Sequence, residues 1–480
     1  MSKAITCHAL AHMLEEVNLS LDTRLIDVVP ELHHSDPTIQ QQTTITDILS
    51  HRTGLASQHV FLMQEYGRLS IPQSETPNIF SHLPVVHDFR SKWLYSNWGY
   101  GLAAMLFPTL RGNSWGSYLQ SSLFDPLGMT RTTTQRNPEF ENVAKGYLTL
   151  EDGTPFENER PHICDGSTMS GAAGVQSSVT DLLKFYKSLL QSAEDQKSRN
   201  ATSTPGSPFK YLSDILSVKI ATNGANDGKR GYGLGWTITQ LPAPLGDEGV
   251  NGMSVAQMPI VGRDGNKTLV YHHNGSLAGY LSAVHLIPDT QSAIVVLTNA
   301  LAKNDCADWL AQLILEALLG IHDKNDYEKI AEDSAWASIN NWKAMEQRLA
   351  HNRTSGTTPT VPIASFVGEY YNEANNLFLE VFEDSNKDLH LCIQGDRRES
   401  YKLEHYHHNV FSWYLTWDES VKRGRFRILS PDYYLLNFSV RGDDVVSLQW
   451  ATDGDIPQGQ TFLKKTSHQT LQLMVENTEL

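Results

Sequence analysis

Three short stretches of the chain carry side chains that can transfer protons or bind polar groups. They are the Ser2-Lys3 start, YSNWGYGLAA with Tyr95 and Asn97, and HHNGSLAGY with His273, Gly275 and Ser276. A neutral lysine amine or an ionised tyrosine can accept the proton of a hydroxyl. Each stretch also has a structural explanation: Ser96 or Asn97 can cap a helix, His273 can be a structural histidine, and Asn-Gly-Ser can form a hairpin turn. A catalytic function is therefore indicated only when the three stretches are taken together and in their order along the chain.

The composition is typical of a globular protein with an acidic balance. Hydrophobic residues make up 40% and charged residues 19% of the 480 residues, and 38 Lys+Arg against 54 Asp+Glu give a net charge of −16. This charge repels nucleic acid and anionic membranes, so neither is an expected partner. The length exceeds that of one ordinary core and predicts two or three domains. No stretch is apolar enough to predict a membrane span.

Cysteine and histidine spacing predicts no cofactor. The four cysteines have neither a C-x-x-C pair nor metal-ligand spacing, and ordinary buried thiols are typical of a reducing compartment. With no visible signal peptide, a cytoplasmic location is expected. The HYHHN run at 405–409 is expected to be a solvated loop rather than a metal site.

Helical patterns lie beside the candidate residues. Residues 4–17 predict a helix with one strongly apolar side, directly after Lys3. A short helix capped by Thr44 or Thr46 is expected to stop at Gly54. Further helices are expected at 98–107, 115–123, 178–191, 305–320 and 321–350. The polar residues 192–210 are expected to form a surface loop.

Alternating apolar runs predict two kinds of sheet. TLVYHHNG and GYLSAVHLIPDTQSAIVVLTNA predict antiparallel strands with turns at Asn274-Gly275 and Pro288-Asp289. With the helices they predict an α+β domain, an antiparallel sheet covered by helices, over residues 1–320. Residues 321–363 are expected to form a helical connector and linker. In 364–480, short runs such as LFLEVFE, RFRILS and VVSLQWA predict an all-β, barrel-like domain.

The ordered motifs of the first domain resemble those of the serine β-lactamase-related family. This family includes class C β-lactamases, DD-peptidases, esterases, D-aminopeptidases and acyltransferases. The resemblance covers most of residues 1–300 and rests on LSLDTRLIDVVPEL, ITDILSHRTGL, YSNWGYGLAA, LFDPLGMTRT, GAAGVQSSVTDLLKFYKSLL, YGLGW and HNGSLAGYLSAVHLIPDTQSAIVVLTNA. It implies a β-lactamase/transpeptidase-like fold and acyl transfer through a serine ester.

The resemblance also implies roles for individual residues. Lys3 corresponds to the lysine of S-x-x-K and takes the proton of the serine, while Tyr95 of Y-x-N shares the proton transfer. Asn97 binds the substrate amide. The backbone N–H of Ser276, after Gly275, forms half of an oxyanion hole. His273 stands where β-lactamases carry a permanently charged lysine, so a small-molecule ester, thioester or amide is expected rather than a β-lactam.

The serine of S-x-x-K is not among the residues of the chain. Counting back three residues from Lys3 reaches the position directly before Met1. Ser2 does not replace it, because neighbouring helical residues point about 100° apart. Either the start codon was assigned at an internal methionine or the gene is shortened and its product inert; the intact Lys3, Tyr95 and Asn97 favour the first. Relatives carry an upstream helix and strands, without which the sheet is expected to expose an edge.

Two classes of function follow from these patterns. One is a serine hydrolase or acyltransferase that forms an acyl-serine intermediate and is inactive without the serine. Secondary-metabolite biosynthesis is a setting known among relatives. The other is a non-catalytic relative whose pocket binds a small molecule, and a third role places binding in the C-terminal β-domain. Neither G-x-S-x-G nor H-E-x-x-H offers a different catalytic centre.

Overall fold

The computed structural model describes residues 1–62, 65–136, 140–222 and 230–465. Its helices are α1 (Ser2–Glu16), α2 (Pro37–Gln42), α3 (Ile45–Leu49), α4 (Thr76–His82), α5 (Asn97–Arg111), α6 (Trp115–Leu119), α7 (Ser170–Ala173), α8 (Val179–Arg199), α9 (Leu212–Ile215), α10 (Cys306–Leu318), α11 (Tyr327–His351) and α12 (Trp417–Lys422). Its strands are β1 (Gly146–Thr149), β2 (Pro155–Asn158), β3 (Arg230–Tyr232), β4 (Thr237–Gln240), β5 (Ala243–Pro244), β6 (Ile260–Val261), β7 (Leu269–Leu277), β8 (Tyr280–Ile287), β9 (Ser292–Thr298), β10 (Ala300–Leu301), β11 (Gly368–Tyr371), β12 (Phe378–Glu383), β13 (Leu389–Ile393), β14 (Tyr401–Lys402), β15 (Glu404–His407), β16 (Val410–Ser412), β17 (Leu435–Arg441), β18 (Asp444–Trp450) and β19 (Gln460–Lys464).

An antiparallel five-stranded sheet forms the centre of the first part of the chain. Its strand order is β3-β4-β7-β8-β9. Helices α8 and α10 pack against β9, and α10 also packs against β8. Within the described ranges β9 is an edge strand, and Leu297 on it is exposed, as are Leu310, Leu313, Ile314 and Leu318 of α10. The α+β architecture expected from the sequence is therefore confirmed.

Helix α1 is buried all round rather than on one side. Every residue from Ser2 to Leu14 except His12 is buried, and the helix packs against α5, α6 and α7. The expectation of one apolar side is wrong because a helix in the middle of a helical layer has no solvent face. Its polar groups find partners inside, as when the Thr6 hydroxyl donates to the Gly171 carbonyl at 2.8 Å.

The other helices follow their patterns, with one correction. Helix α3 begins at a capping box formed by Thr44 and Asp47, and ends five residues before Gly54. The loop expected at 192–210 begins only after Arg199, because α8 continues to that residue; residues 200–210 contain no helix or strand. Gln196 on this extension is buried: its amide donates to the Phe209 carbonyl at 3.0 Å and accepts from the backbone N–H of Leu212 at 3.1 Å. Polar residues that anchor a neighbouring segment resemble loop residues in sequence.

One of the two predicted turns is misplaced. Asn274 and Gly275 lie inside β7, which continues to Leu277. The chain reverses at Gly279, whose φ of +87° favours glycine and whose added Cβ would lie 2.8 Å from the Cα of Gly146. The second turn, Pro288–Thr290, is where the sequence places it.

The C-terminal part of the chain is a nearly closed, barrel-like antiparallel sheet. Its nine strands run in the order β14-β13-β12-β11-β19-β18-β17-β16-β15, as the all-β expectation requires. The loop expected at 405–409 is only partly correct, because 405–407 lie in β15 and 408–409 form the turn to β16. RFRILS, residues 425–430, is not a strand; it links α12 to the segment before β17. Residues 466–480 of the predicted domain lie outside the described part of the chain.

The barrel is fastened to the first part of the chain by polar contacts. The Arg423 guanidinium donates to both carboxylate oxygens of the fully buried Glu65 at 3.0 and 3.2 Å. Nearby, Arg68 pairs with Asp396 at 2.7 Å and Glu399 at 3.0 Å. These contacts hold the barrel against the helix–sheet part, and a cavity is lined by residues of both.

Candidate active site

A cavity of about 1640 Å³ opens between the helix–sheet part and the barrel. All of the residues singled out from the sequence line it, namely Lys3, Tyr95, Asn97, His273, Gly275 and Ser276. The barrel contributes residues from 424–433 and 451–457 to its wall. The fold therefore brings together the three stretches that are far apart in sequence.

Lys3 lies in the first turn of α1 and is 5% exposed. Its Nζ donates to Oδ1 of Asn97 at 2.7 Å and to the carbonyl of Ala172 at 3.3 Å. It also lies 4.8 Å from the ring centroid of Tyr95. Burial lowers the pKa of Lys3 to about 7, and the Cys7 thiol, one turn along α1, offsets part of this shift. At neutral pH a substantial fraction of this amine is therefore uncharged.

Tyr95 is enclosed by rings. The His51 ring lies against it at a tilt of 37° with ring centroids 4.4 Å apart, and Trp93 and His273 lie at 5.8 and 6.2 Å. Burial and the nearby Glu248 carboxyl raise the pKa of Tyr95 above its ordinary value. Its phenol therefore keeps its proton at neutral pH.

Asn97 is the first residue of α5. Its backbone N–H donates to Nε2 of His59 at 3.0 Å, so a histidine side chain satisfies one of the free amides at this helix start. The preceding Ser96 N–H donates in the same way to Nδ1 of His51 at 3.0 Å. Two histidines thus hold the Y-x-N segment, and neither the Ser96 nor the Asn97 side chain caps α5.

His273 lies on β7 with Gly275 and Ser276. Its Nε2 lies 3.0 Å from the Tyr232 hydroxyl. Burial, together with nearby positive charges that include Lys3, lowers the pKa of His273 to about 3, so the ring is neutral at physiological pH. At Gly275 an added Cβ would lie 2.4 Å from Oγ of Ser282 on β8, which explains the glycine, while Ser276 is exposed toward the cavity.

The Ser2 hydroxyl has a partner other than the amine of Lys3. Its Oγ accepts a hydrogen bond from the backbone N–H of Val175 at 3.1 Å, while Lys3 Nζ donates to Asn97 and Ala172. This arrangement agrees with the helical geometry, in which neighbouring residues point about 100° apart.

Several residues of the site were not identified from the sequence. His51 lies in ITDILSHRTGL and Tyr232 in YGLGW, so the motifs contained them without assigning a role. Nothing in the sequence distinguishes His59 or Glu248. Glu248 lines the cavity, and its desolvation there together with repulsion from Asp247 raises the pKa of its carboxyl.

No group of three or more His, Cys, Asp or Glu side chains within the described ranges is arranged to hold a metal ion. His405 in the HYHHN run instead places its Nε2 2.9 Å from the carbonyl of His408. No helix in those ranges combines the length and apolar composition needed to cross a bilayer.

Comparison with known families places the site in context. A β-lactamase family model matches residues 1–319. The chain belongs to the β-lactamase family. A second model, for a domain of unknown function (DUF3471), matches residues 352–469, which contain the barrel strands.

Curated relatives of this β-lactamase family member are distant. An unguisins hydrolase of Aspergillus violaceofuscus is 23% identical over 81% of this chain and 68% of its own length. Penicillin-binding protein 4* of Bacillus subtilis is 26% identical over 54% of this chain, and the β-lactamase of Escherichia coli is 25% identical over 47%. The chain spans 52% and 56% of the lengths of these last two. These relatives support a function of the serine hydrolase type.

An octameric penicillin-binding protein homologue from Pyrococcus abyssi has a similar structure. It is 20% identical, with a TM-score of 0.51 over 96% of this chain and 86% of that one. This similarity extends over the barrel as well as the helix–sheet part, and it concerns the fold.

Proposed function

We propose that the cavity is the acylation site of a serine hydrolase or acyltransferase that acts on a small-molecule ester, thioester or amide. The observation that carries this proposal is the state of the Lys3 amine. It is buried, it is hydrogen-bonded to Asn97 at 2.7 Å, and its pKa is lowered to about 7. A lysine in this state accepts a proton at neutral pH, whereas an ordinary lysine is blocked by its own proton.

The two candidate bases have opposite protonation states. The partly uncharged Lys3 is the base that receives the hydroxyl proton, while Tyr95, whose pKa is raised, stays protonated and acts as a hydrogen-bond donor. Asn97 holds the Lys3 amine between proton transfers. The neutral His273 and Tyr232 form a polar wall without a fixed charge.

The hydroxyl served by Lys3 belongs at the position directly before Met1, since residues three apart lie on one helix face. Its oxygen attacks the carbonyl carbon of the substrate as its proton passes to Lys3 Nζ. The bond from that carbon to the leaving group then breaks, and the leaving group takes the proton. Water or another nucleophile later cleaves the acyl-serine ester, which gives hydrolysis or transfer.

The size of the cavity favours a bulky small-molecule substrate. A cavity of about 1640 Å³ exceeds the roughly 300–1,000 Å³ that is ordinary for ligand pockets. The unguisins hydrolase among the relatives supports hydrolysis in a secondary-metabolite setting.

Mass spectrometry after treatment with an aryl fluorophosphonate tests this proposal. Three proteins are compared: the full chain, the chain with a serine placed directly before Met1, and the matched chain with an alanine there. We expect one covalent adduct on the added serine and none on the other two. No adduct on a folded serine form, or adducts of equal yield on all three, would exclude the proposed site.

A binding function without acylation is the second candidate. Its support is the hydrogen bonding of the Lys3 amine to Asn97 and Ala172, while the Ser2 hydroxyl accepts from Val175. The same experiment separates the two, because a binding protein gains no reactivity from the added serine.

A further inference from the structure

The barrel segment RGRFR, residues 423–427, carries three arginines with different surroundings. Arg423 pairs with the buried Glu65. Arg425 donates to the hydroxyls of Tyr401 at 2.6 Å and Tyr433 at 2.9 Å and is attracted by the carboxylates of Glu65 and Glu399. Both therefore belong to the contact between the barrel and the helix–sheet part.

Arg427 lines the cavity, as Arg425 does, but it differs from both other arginines because it has no acidic partner among the described residues. No carboxylate among the described residues forms an ion pair with its guanidinium, and one hydrogen bond is formed, from Nη2 to the Ala302 carbonyl at 3.3 Å. Burial lowers the pKa of Arg427 to about 10, so it stays charged at physiological pH. A shielded charge without a counter-ion is unfavourable unless a ligand supplies one.

The guanidinium of Arg427 is held in place. Its Cζ lies 3.8 Å from the centroid of the Trp417 ring, in the arrangement of a cation–π contact. Trp417 is itself fixed, since it is 2% exposed and its indole N–H donates to the Thr149 carbonyl at 2.9 Å. Thr149 ends β1, and Ala302 follows β10, which pairs with β1. A positioned arginine fork of this kind binds a planar carboxylate with little loss of side-chain freedom.

The reaction centre itself offers no permanent cation for an anionic substrate group. His273 is neutral and the amine of Lys3 is needed as the base. A carboxylate on the substrate is therefore better accommodated away from the acyl group, at the barrel wall.

We propose that Arg427 binds a free carboxylate at the far end of the substrate, so that the substrate class is an ester, thioester or amide that also carries a carboxylate. This inference rests on the proposed function for the nature of the reacting group. The carboxylate site itself requires no acylation.

Calorimetric titration of the full chain with ligands tests the carboxylate site and requires no acylation. The ligands are the monobenzyl esters of succinic, adipic, suberic and sebacic acids, each matched with its neutral benzyl methyl diester. We expect at least one half-ester to bind roughly 10- to 100-fold more tightly than its diester, the usual range for a charge-assisted hydrogen-bonded pair. The chain length that binds best then measures the distance between the reaction centre and Arg427.

Three variants test whether Arg427 causes the preference for half-esters over diesters. Arg427→Gln is expected to reduce the ratio of half-ester affinity to diester affinity to about one. Arg427→Lys keeps the charge but loses the planar guanidinium, so it is expected to retain part of the preference. Arg427→Lys also provides the test if Arg427→Gln does not fold. The matched control is Arg160→Gln, because Arg160 also lines the cavity and donates to Gln176 at 3.5 Å. This control is expected to keep the full preference.

A ratio near one for every ligand with the wild-type chain would overturn the inference. So would a preference unchanged by Arg427→Gln, or one lost in Arg160→Gln instead. A preference that depends on Arg427 in a protein whose added serine is never acylated would reject the proposed reaction and leave the carboxylate site standing.

Discussion

The Lys3 ammonium donates to the side-chain oxygen of Asn97 at 2.7 Å, joining the first turn of α1 to the first turn of α5. The second acceptor of this amine is the carbonyl of Ala172, so both of its partners are neutral. Neutral acceptors stabilise the ammonium less than a carboxylate does, and burial then dominates its pKa. The asparagine in this motif thus holds the lysine without fixing its charge.

Asn97→Asp is expected to raise the pKa of Lys3 well above 7, because a carboxylate in contact favours the charged amine. Asn97→Leu is expected to lower it further, because a hydrogen bond to the charged form is lost. The measurement is an NMR titration of chain labelled at lysine ¹³Cε, with the Lys3 signal assigned from Lys3→Arg. Equal titration midpoints in all three proteins would show that Asn97 does not set the state of Lys3.

Lys3→Met is expected to stabilise the folded chain. The folded pKa of Lys3 is lowered from 10.5 to about 7, so the unfolded chain binds the proton more tightly and wild-type stability rises with pH between those values. Removing the amine therefore raises the free energy of unfolding most below pH 7. The gain there is on the order of 3 kcal/mol once the loss of two hydrogen bonds is subtracted, and it becomes progressively smaller toward pH 10. Urea unfolding at pH 6 and pH 9 measures this difference.

The exposed Lys422 provides the control for this experiment, since Lys422→Met should change stability little at either pH. A Lys3→Met protein that is less stable than wild type at pH 6 would show that the buried amine is not under electrostatic strain.

The candidate residues could be chosen from the sequence because they lie in recognisable motifs. The structure places Lys3, Tyr95, Asn97 and His273 in the lining of one cavity. The surroundings that set their charge could not be predicted. The pKa of Lys3 depends on α1 being buried on every side, whereas its sequence indicates one apolar side.

The errors in the fold have a common physical origin. Asn274-Gly275 is typical of a hairpin turn, yet pairing with β8 keeps it within β7. RFRILS has the alternation of a strand, but Arg425 donates to Tyr433 and Arg427 lies over the Trp417 ring, and neither takes part in a strand ladder. In each case contacts with residues outside the segment outweigh its local preference.

Tyr95→Phe is expected to slow acylation about 10²-fold in the chain with a serine placed before Met1, because the phenol supplies a hydrogen bond during proton transfer. The rate of fluorophosphonate inactivation measures this. Tyr280→Phe is the matched control, since Tyr280 also lines the cavity but donates to the Ala144 carbonyl at 2.9 Å. A Tyr95→Phe rate within a factor of two of the control would remove Tyr95 from the mechanism.

Arg423→Met is expected to destabilise the chain by about 3 kcal/mol, because it leaves the fully buried Glu65 carboxylate without its cation. The double variant Glu65→Leu with Arg423→Met should recover a large part of that loss. Denaturant unfolding of the two single variants and the double variant gives the coupling energy. Additive losses would show that this pair does not fasten the barrel.

The pH dependence of acylation tests the central claim most directly. The rate of reaction with an aryl fluorophosphonate is measured from pH 5 to pH 10 for the chain with the added serine and for its Lys3→Arg variant. The account predicts a rate that rises with a midpoint of about 7 and reaches a plateau, with the rise abolished in the variant. A midpoint near 10, or a rise that survives Lys3→Arg, would contradict the assignment of Lys3 as the base.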